Sequence, residues 1–213
     1  MRELGPGLHV VERPLSTLGV PFGRRMSVVD LPGGGVFVHS PAPLDDELRA
    51  ALDARGGVRF VAAASLLHGH LFMEQYEGAE LLAPPGLARR RRDLTFAAEL
   101  GDEPDPRWAG VLDQALFRGN RSLVEVVFLH RPTRSLIVGD LVWHVAPPLP
   151  LRARLFAGGG GVRPTLLFRA FSSRRRARPS LERILAWDFD RIVVGHGPLV
   201  ERDARDALRR AWA

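Results

Sequence analysis

Three short apolar runs each end in a side chain able to hold a metal ion, and this constrains the chain more than any other feature. Val58 to Ala64 leads into Ser65-Leu66-Leu67-His68-Gly69-His70. Leu136-Ile137-Val138 leads into Gly139-Asp140, and Ile192-Val193-Val194 leads into Gly195-His196-Gly197-Pro198. Runs of this length read as strands, and open sheets present their ligand-binding groups where strands end. Alternate residues at a strand end point the same way, so His68 and His70 are expected to reach one ion. Glycine beside Asp140 and His196 permits close backbone approach. The chain has no cysteine, so a metal would rest on His, Asp and Glu alone.

The remaining pattern surrounds these runs with strands and helices. Met26 to Asp30 and Val36 to His39 flank Leu31-Pro32-Gly33-Gly34-Gly35 and predict a hairpin. From Pro43 to Arg55 the apolar positions recur at helical spacing, acidic residues fill the first turn, and Gly56-Gly57 ends the helix. A short helical stretch is expected around Phe72 to Tyr76 and a strand over Glu80 to Ala83. Gly110 to Phe117, Leu123 to His130 and Ser135 to Val138 predict three further strands. Helices are expected over Arg152 to Phe156, Thr165 to Phe171 and Pro179 to Trp187, then a strand over Asp190 to Val194 and a helix over Glu201 to Trp212. Two groups of strands with helices outside them imply layers. No linker interrupts the 213 residues, so one domain over 1–213 is expected.

Charge narrows the function classes. All thirty basic residues are arginine, and the net charge is +6. The runs Arg89 to Arg92 and Arg174 to Arg176 with Arg178 could pair with phosphates. No aromatic residues are interleaved with them, so solvated helix faces are the plainer reading and nucleic acid ranks last among partners. No apolar run approaches the ~18 residues a membrane span needs, and the first residues lack a secretory signal. A cytoplasmic location and a small-molecule substrate or ligand are the expectations.

In order and spacing, strand with His-x-His, strand with Gly-Asp, helices, then strand with Gly-His-Gly resembles the metallo-β-lactamase superfamily. Ser40-Pro41 after the second hairpin strand and Glu125 before the middle hairpin resemble one poorly characterised branch of it. The resemblance implies an α+β fold, a four-layer αββα sandwich. It also implies a His-x-His-x-Asp-His motif, which is degenerate here. His68 and His70 match its first two histidines, but Phe72 stands at the Asp position and Met73 at the last His. Asp140 matches the bridging aspartate and His196 the final histidine, while Asn120 falls where a further histidine is usual. The implied metal set is His68, His70, Asp140 and His196, with Asp140 also catalytic and Glu74 and Asn120 as accessory candidates. A solvated glutamate is the plainer reading of Glu74.

Four such groups suit at most one divalent ion: zinc first, manganese or iron otherwise. The implied activity is hydrolysis of a small ester, thioester, lactone or phosphoester by one metal-bound water. The alternative is a catalytically silent member of the fold that holds no metal and binds a ligand or a protein. A serine nucleophile at Ser65 lacks the Gly-x-Ser-x-Gly elbow.

Overall fold

Alternation along the strands builds the molecule. The computed structural model describes residues 1–17, 20–119, 124–145 and 159–213. The expected helix over Arg152 to Phe156, the start of the Leu123 strand and Asn120 lie outside the described residues.

The first sheet takes β1 (Arg2–Gly5), β2 (Leu8–Arg13), β5 (Arg24–Asp30), β6 (Val36–His39), β7 (Val58–Ala62), β8 (Glu80–Ala83) and β9 (Ala98–Glu99), in that order; β3 (Ser16–Thr17) and β4 (Val20–Pro21) pair apart from it. The β5–β6 pair is the expected antiparallel hairpin. From β6 onward the pairing is parallel, and α1 (Asp46–Asp53) makes the crossover from β6 to β7. Asp45 caps α1 by accepting from the Leu48 N–H at 2.8 Å. The strands β1 and β2 carry no period-two signal in the sequence, since β1 is only four residues long and β2 buries four consecutive residues, Leu8 to Val11.

The second sheet holds β10 (Leu112–Phe117), β11 (Glu125–His130), β12 (Ser135–Ile137) and β15 (Arg191–Val193). Its first three strands are antiparallel, and β15 joins parallel to β12. A separate ladder of β13 (Trp143–Val145) and β14 (Gly161–Arg163) falls between β12 and β15 in the chain. The helices are α2 (Leu87–Arg90), α3 (Leu166–Ala170), α4 (Arg174–Leu185) and α5 (Ala204–Ala211).

Side-chain parity sorts these elements into four layers. Phe37, Phe60 and Ala62 point from the first sheet toward Val126, Phe128 and Ile137 of the second. Their neighbours Val36, Val38 and Val61 point outward against Leu48 and Leu52 of α1. On the other side Val127, Leu136 and Ile192 meet Phe168, Ile184 and Leu208 of α3, α4 and α5. Trp108 joins Phe37 and Phe60 in the inter-sheet core, at centroid separations of 5.2 and 5.3 Å in edge-on contacts. The order is helices, sheet, sheet, helices.

One boundary differs instructively. The expected helix starts at Pro179, the favoured place for proline being a first turn. In the structure α4 begins at Arg174 and runs through Pro179. Ala177, Ser180 and Ile184 recur at three- and four-residue spacing and bury one face, so packing outweighs the local cost of the proline. Among the described residues no helix is long and apolar enough to cross a membrane.

Candidate metal centre

Each loop that carries a candidate ligand is fixed by a side chain from another part of the chain or from the loop itself. After β7, the Ser65 hydroxyl accepts from the N–H groups of Leu67 at 3.2 Å and His68 at 3.0 Å, and the Ser65 N–H donates to the His68 carbonyl at 3.0 Å. Ser65 is thus a staple of the turn. After β12, the two carboxyl oxygens of Glu125 accept from the Gly139 N–H at 2.8 Å and the Asp140 N–H at 2.7 Å. After β15, the Arg25 guanidinium donates to the carbonyls of Val194 and Gly197, and Glu12 balances its charge at 2.9 Å.

These anchors bring three of the expected ligands together. His68 Nδ1 lies 3.1 Å from His196 Nε2 and 3.4 Å from Asp140 Oδ1, and His196 Nε2 lies 3.7 Å from the same Oδ1. Three ligand atoms on a tetrahedral ion with bonds of ~2.1 Å stand ~3.4 Å apart. The triangle matches that spacing to within 0.3 Å. Its chemistry matches as well. His196 Nδ1 lies 2.7 Å from the Gly23 carbonyl, an acceptor only, so Nδ1 carries the proton and Nε2 turns its lone pair to the triangle. The Trp143 indole N–H donates to Asp140 Oδ1 at 3.0 Å, and its ring lies 4.0 Å from that of His196.

Electrostatics prepare the same atoms. Burial pushes His196 down to about 4, helped by His68 and opposed by Asp140. Burial also acts against an ionised Asp140, yet the imidazoles of His68 and His196 and the Trp143 donor outweigh it and hold the carboxyl at about 2. At neutral pH the triangle therefore offers a neutral His196 and an ionised carboxylate, the protonation states a divalent ion requires. Glu125, fully buried, is pushed up to about 8 by burial and then by the charge of Asp140.

His70 is not in the cluster. The strand ends at Ala62, and Gly69 turns the chain with φ of +80°, against the backbone of Ser40 and Ala64. Strand alternation no longer holds across that turn, so the two imidazoles diverge. His70 instead faces Arg91, whose guanidinium lies 3.3 Å from Nδ1 and donates to the His70 carbonyl at 2.6 Å. Burial and then Arg91 lower its proton affinity. Glu74 is exposed and reaches Arg91 at 3.5 Å. Met73 is buried in the outer core, and Phe72 adopts φ of +71° beside Arg24. Glu125, Arg25 and Trp143 complete the site without having been assigned to it from sequence. Glu125 carries a family resemblance, and Arg25 carries no local signal. Trp143 is one of four scattered aromatics (with Trp108, Phe117 and Trp187) that could line a pocket but read more plainly as core.

A cavity of about 230 Å³ opens over the triangle. Arg24, Leu67, Leu71, Trp143 and Ser40 line it together with the three ligand residues. Ser40, on the cavity wall, holds φ of +57°, uncommon for a residue with a side chain.

No protein-family model and no curated protein matches the sequence. Solved structures do match. A metallo-β-lactamase from Pontibacter korlensis superposes with a TM-score of 0.69 at 13% identity, over 99% of this chain and 96% of that one. The metallo-β-lactamase FIM-1 from Pseudomonas aeruginosa, in its mono-zinc form, gives 0.65 at 12% identity over 99% and 93%. The flavodiiron core Flv1 from Synechocystis sp. gives 0.65 at 12% identity, over 97% of this chain and 58% of that one. At such identities the likeness concerns the fold.

Proposed function

From the premise that this chain has the metallo-β-lactamase fold, we propose that it is a hydrolase working with one divalent metal, zinc before manganese or iron. His68 Nδ1, Asp140 Oδ1 and His196 Nε2 hold the ion. The substrate is a small ester, thioester, lactone or phosphoester. The observation that carries this reading is the 3.1, 3.4 and 3.7 Å triangle of donor atoms beneath an open cavity. Two imidazoles and a carboxylate with a position left open are a donor set of catalytic zinc sites. When bound, the metal would polarise a carbonyl or phosphoryl oxygen and make water acidic enough to attack near neutral pH.

The residues of the chain supply the rest. Gly23 fixes the His196 tautomer, and Trp143 orients the Asp140 carboxylate while covering one side of the His196 ring. Glu125 and Arg25 hold the Asp140 and His196 loops in register. Leu67, Leu71 and Trp143 give the cavity an apolar wall that limits water around the reacting groups.

One observation favours a second reading, a silent scaffold that binds a ligand. At 3.1 Å, His68 Nδ1 can donate to His196 Nε2, so the cluster can satisfy itself without an ion. Elemental analysis of protein purified without chelator separates the two. The hydrolase requires close to one metal per chain, lost in His68→Ala and in His196→Ala. No metal, even after zinc or manganese is added, leaves the scaffold. Two tightly held metals would contradict both.

A further inference from the structure

Two neighbouring arginines line the cavity, and only one is spent on the fold. Arg25 is buried, its charge balanced by Glu12 and its N–H groups given to Val194 and Gly197. Arg24 is half-buried and has no carboxylate within ion-pair distance among the described residues. Its guanidinium carbon lies 5.0 Å from the centroid of the Phe72 ring. Stacking of this kind holds the guanidinium plane while leaving its N–H edge free to donate. A partly desolvated cation without a counter-ion gains when an oxyanion docks against it, and the planar fork matches a carboxylate.

A second feature stands at the same mouth. Among the described residues only five large apolar side chains are exposed, and two of them, Leu67 at 55% and Leu71 at 48%, line this cavity. They flank His68 in sequence, so an apolar group resting on them lies next to the triangle. Single exposed leucines need no explanation, whereas two on one rim of a cavity form a contact surface.

The geometry points to an amphipathic monocarboxylate as the substrate class: an ester, thioester or lactone that carries a separate free carboxylate for Arg24 and an aliphatic or aromatic group for Leu67 and Leu71. This assignment rests on the hydrolase reading for the bond that is broken, but not for the binding. One charge is specified because Arg25 is already neutralised, which leaves one guanidinium to be answered. A phosphate monoester would bring a second negative charge that this wall does not meet.

The test uses the full chain, with and without one equivalent of zinc, titrated calorimetrically with hexanoate, hexanamide, acetate and hexyl phosphate. Arg24→Gln is expected to weaken hexanoate at least tenfold and leave hexanamide unchanged, with Arg24→Lys recovering part of the loss. The double variant Leu67→Ser, Leu71→Ser should weaken hexanoate and hexanamide several-fold and leave acetate unchanged. Hexanoate affinity indifferent to Arg24→Gln, or hexyl phosphate binding more tightly than hexanoate, overturns the assignment. Zinc per chain is measured on the same samples. A chain that takes no zinc yet depends on Arg24 for hexanoate keeps this inference and loses the hydrolase. A chain that takes one zinc but ignores Arg24 does the reverse.

Discussion

A Cβ on Gly195 would stand 2.7 Å from Cε1 of His68, inside the imidazole's van der Waals envelope. Gly139 faces the same ring, where a Cβ would lie 3.3 Å from Cγ and 2.7 Å from the Ala64 Cβ. The glycines that precede Asp140 and His196 thus form the slot in which the third ligand sits. Gly195→Ala should expel the His68 ring, because its new methyl would also meet the Gly139 carbonyl oxygen at 2.8 Å, a backbone atom that cannot swing aside. A cost of about 1–3 kcal/mol is expected for such overpacking. Urea unfolding and zinc content measure the two effects, and an alanine variant with normal zinc content would remove the slot argument.

His70 and Arg91 make a structural pair, which yields contrasting expectations for neighbouring substitutions. His70→Ala should keep the zinc content of the parent, unlike His68→Ala. Arg91→Gln should cost about 1 kcal/mol, since it loses the bond to the His70 carbonyl and the contacts with Asp93 and Glu74. Arg89 and Arg92 are exposed, and their replacement by Gln should change stability by less than ~0.5 kcal/mol. Within the run, Arg91 alone is drawn into these contacts, while Arg89, Arg90 and Arg92 are exposed as expected of a solvated face. Equal effects at Arg89 and Arg91 would contradict the pairing.

What the sequence made legible was what depends on local order. Strand ends followed by Gly-Asp and Gly-His-Gly mark Asp140 and His196 as candidate ligands, and the apolar runs mark the strands β7, β12 and β15 whose ends carry the site's loops. Alternation predicts His70 beside His68, but the strand ends at Ala62 and the left-handed Gly69 turns the chain, so His70 lies outside the cluster. Arg25 could not be foreseen, because its partners Val194 and Gly197 lie more than 160 residues away in sequence. Trp143 reads in sequence as a pocket or core aromatic, and only the fold sets its indole N–H on Asp140. Long-range contacts of this kind leave no periodic trace.

Glu125 acts on the centre through the backbone. Its carboxyl group takes the N–H groups of Gly139 and Asp140 in a fully buried setting. Glu125→Ala would leave both donors without an acceptor, at about 1–3 kcal/mol each. Looser metal binding should accompany that loss, because Asp140 would no longer be held in place. Competition with a chromophoric chelator reads the affinity. Unchanged zinc affinity in a folded Glu125→Ala protein would mean that the Asp140 loop holds its own geometry.

The last prediction concerns acid sensitivity away from the centre. His130 is buried at the end of β11, with Nδ1 2.7 Å from the Thr133 hydroxyl oxygen. Burial pushes it down to about 4; the charge of Asp30 opposes that shift and His9 adds to it. The unfolded chain takes a proton at this imidazole near pH 6.5, while the folded chain refuses it until about 4. The unfolded state therefore binds more protons in that window, and stability must fall as pH falls through it. Above pH 6.5 the contribution is fully present. Below it, one such histidine removes roughly 1 kcal/mol per pH unit. His39, pushed down to about 3 chiefly by burial, acts in the same direction, while Glu125, raised to about 8, opposes it between 8 and 4.5. Comparing the parent with His130→Gln isolates one group, since glutamine does not titrate and can still meet Thr133. Unfolding free energies at pH 7.5 and pH 4.5 should show the parent losing roughly 2–3 kcal/mol more than the variant. Parallel pH profiles for the two proteins would show that His130 takes up its proton in the folded state.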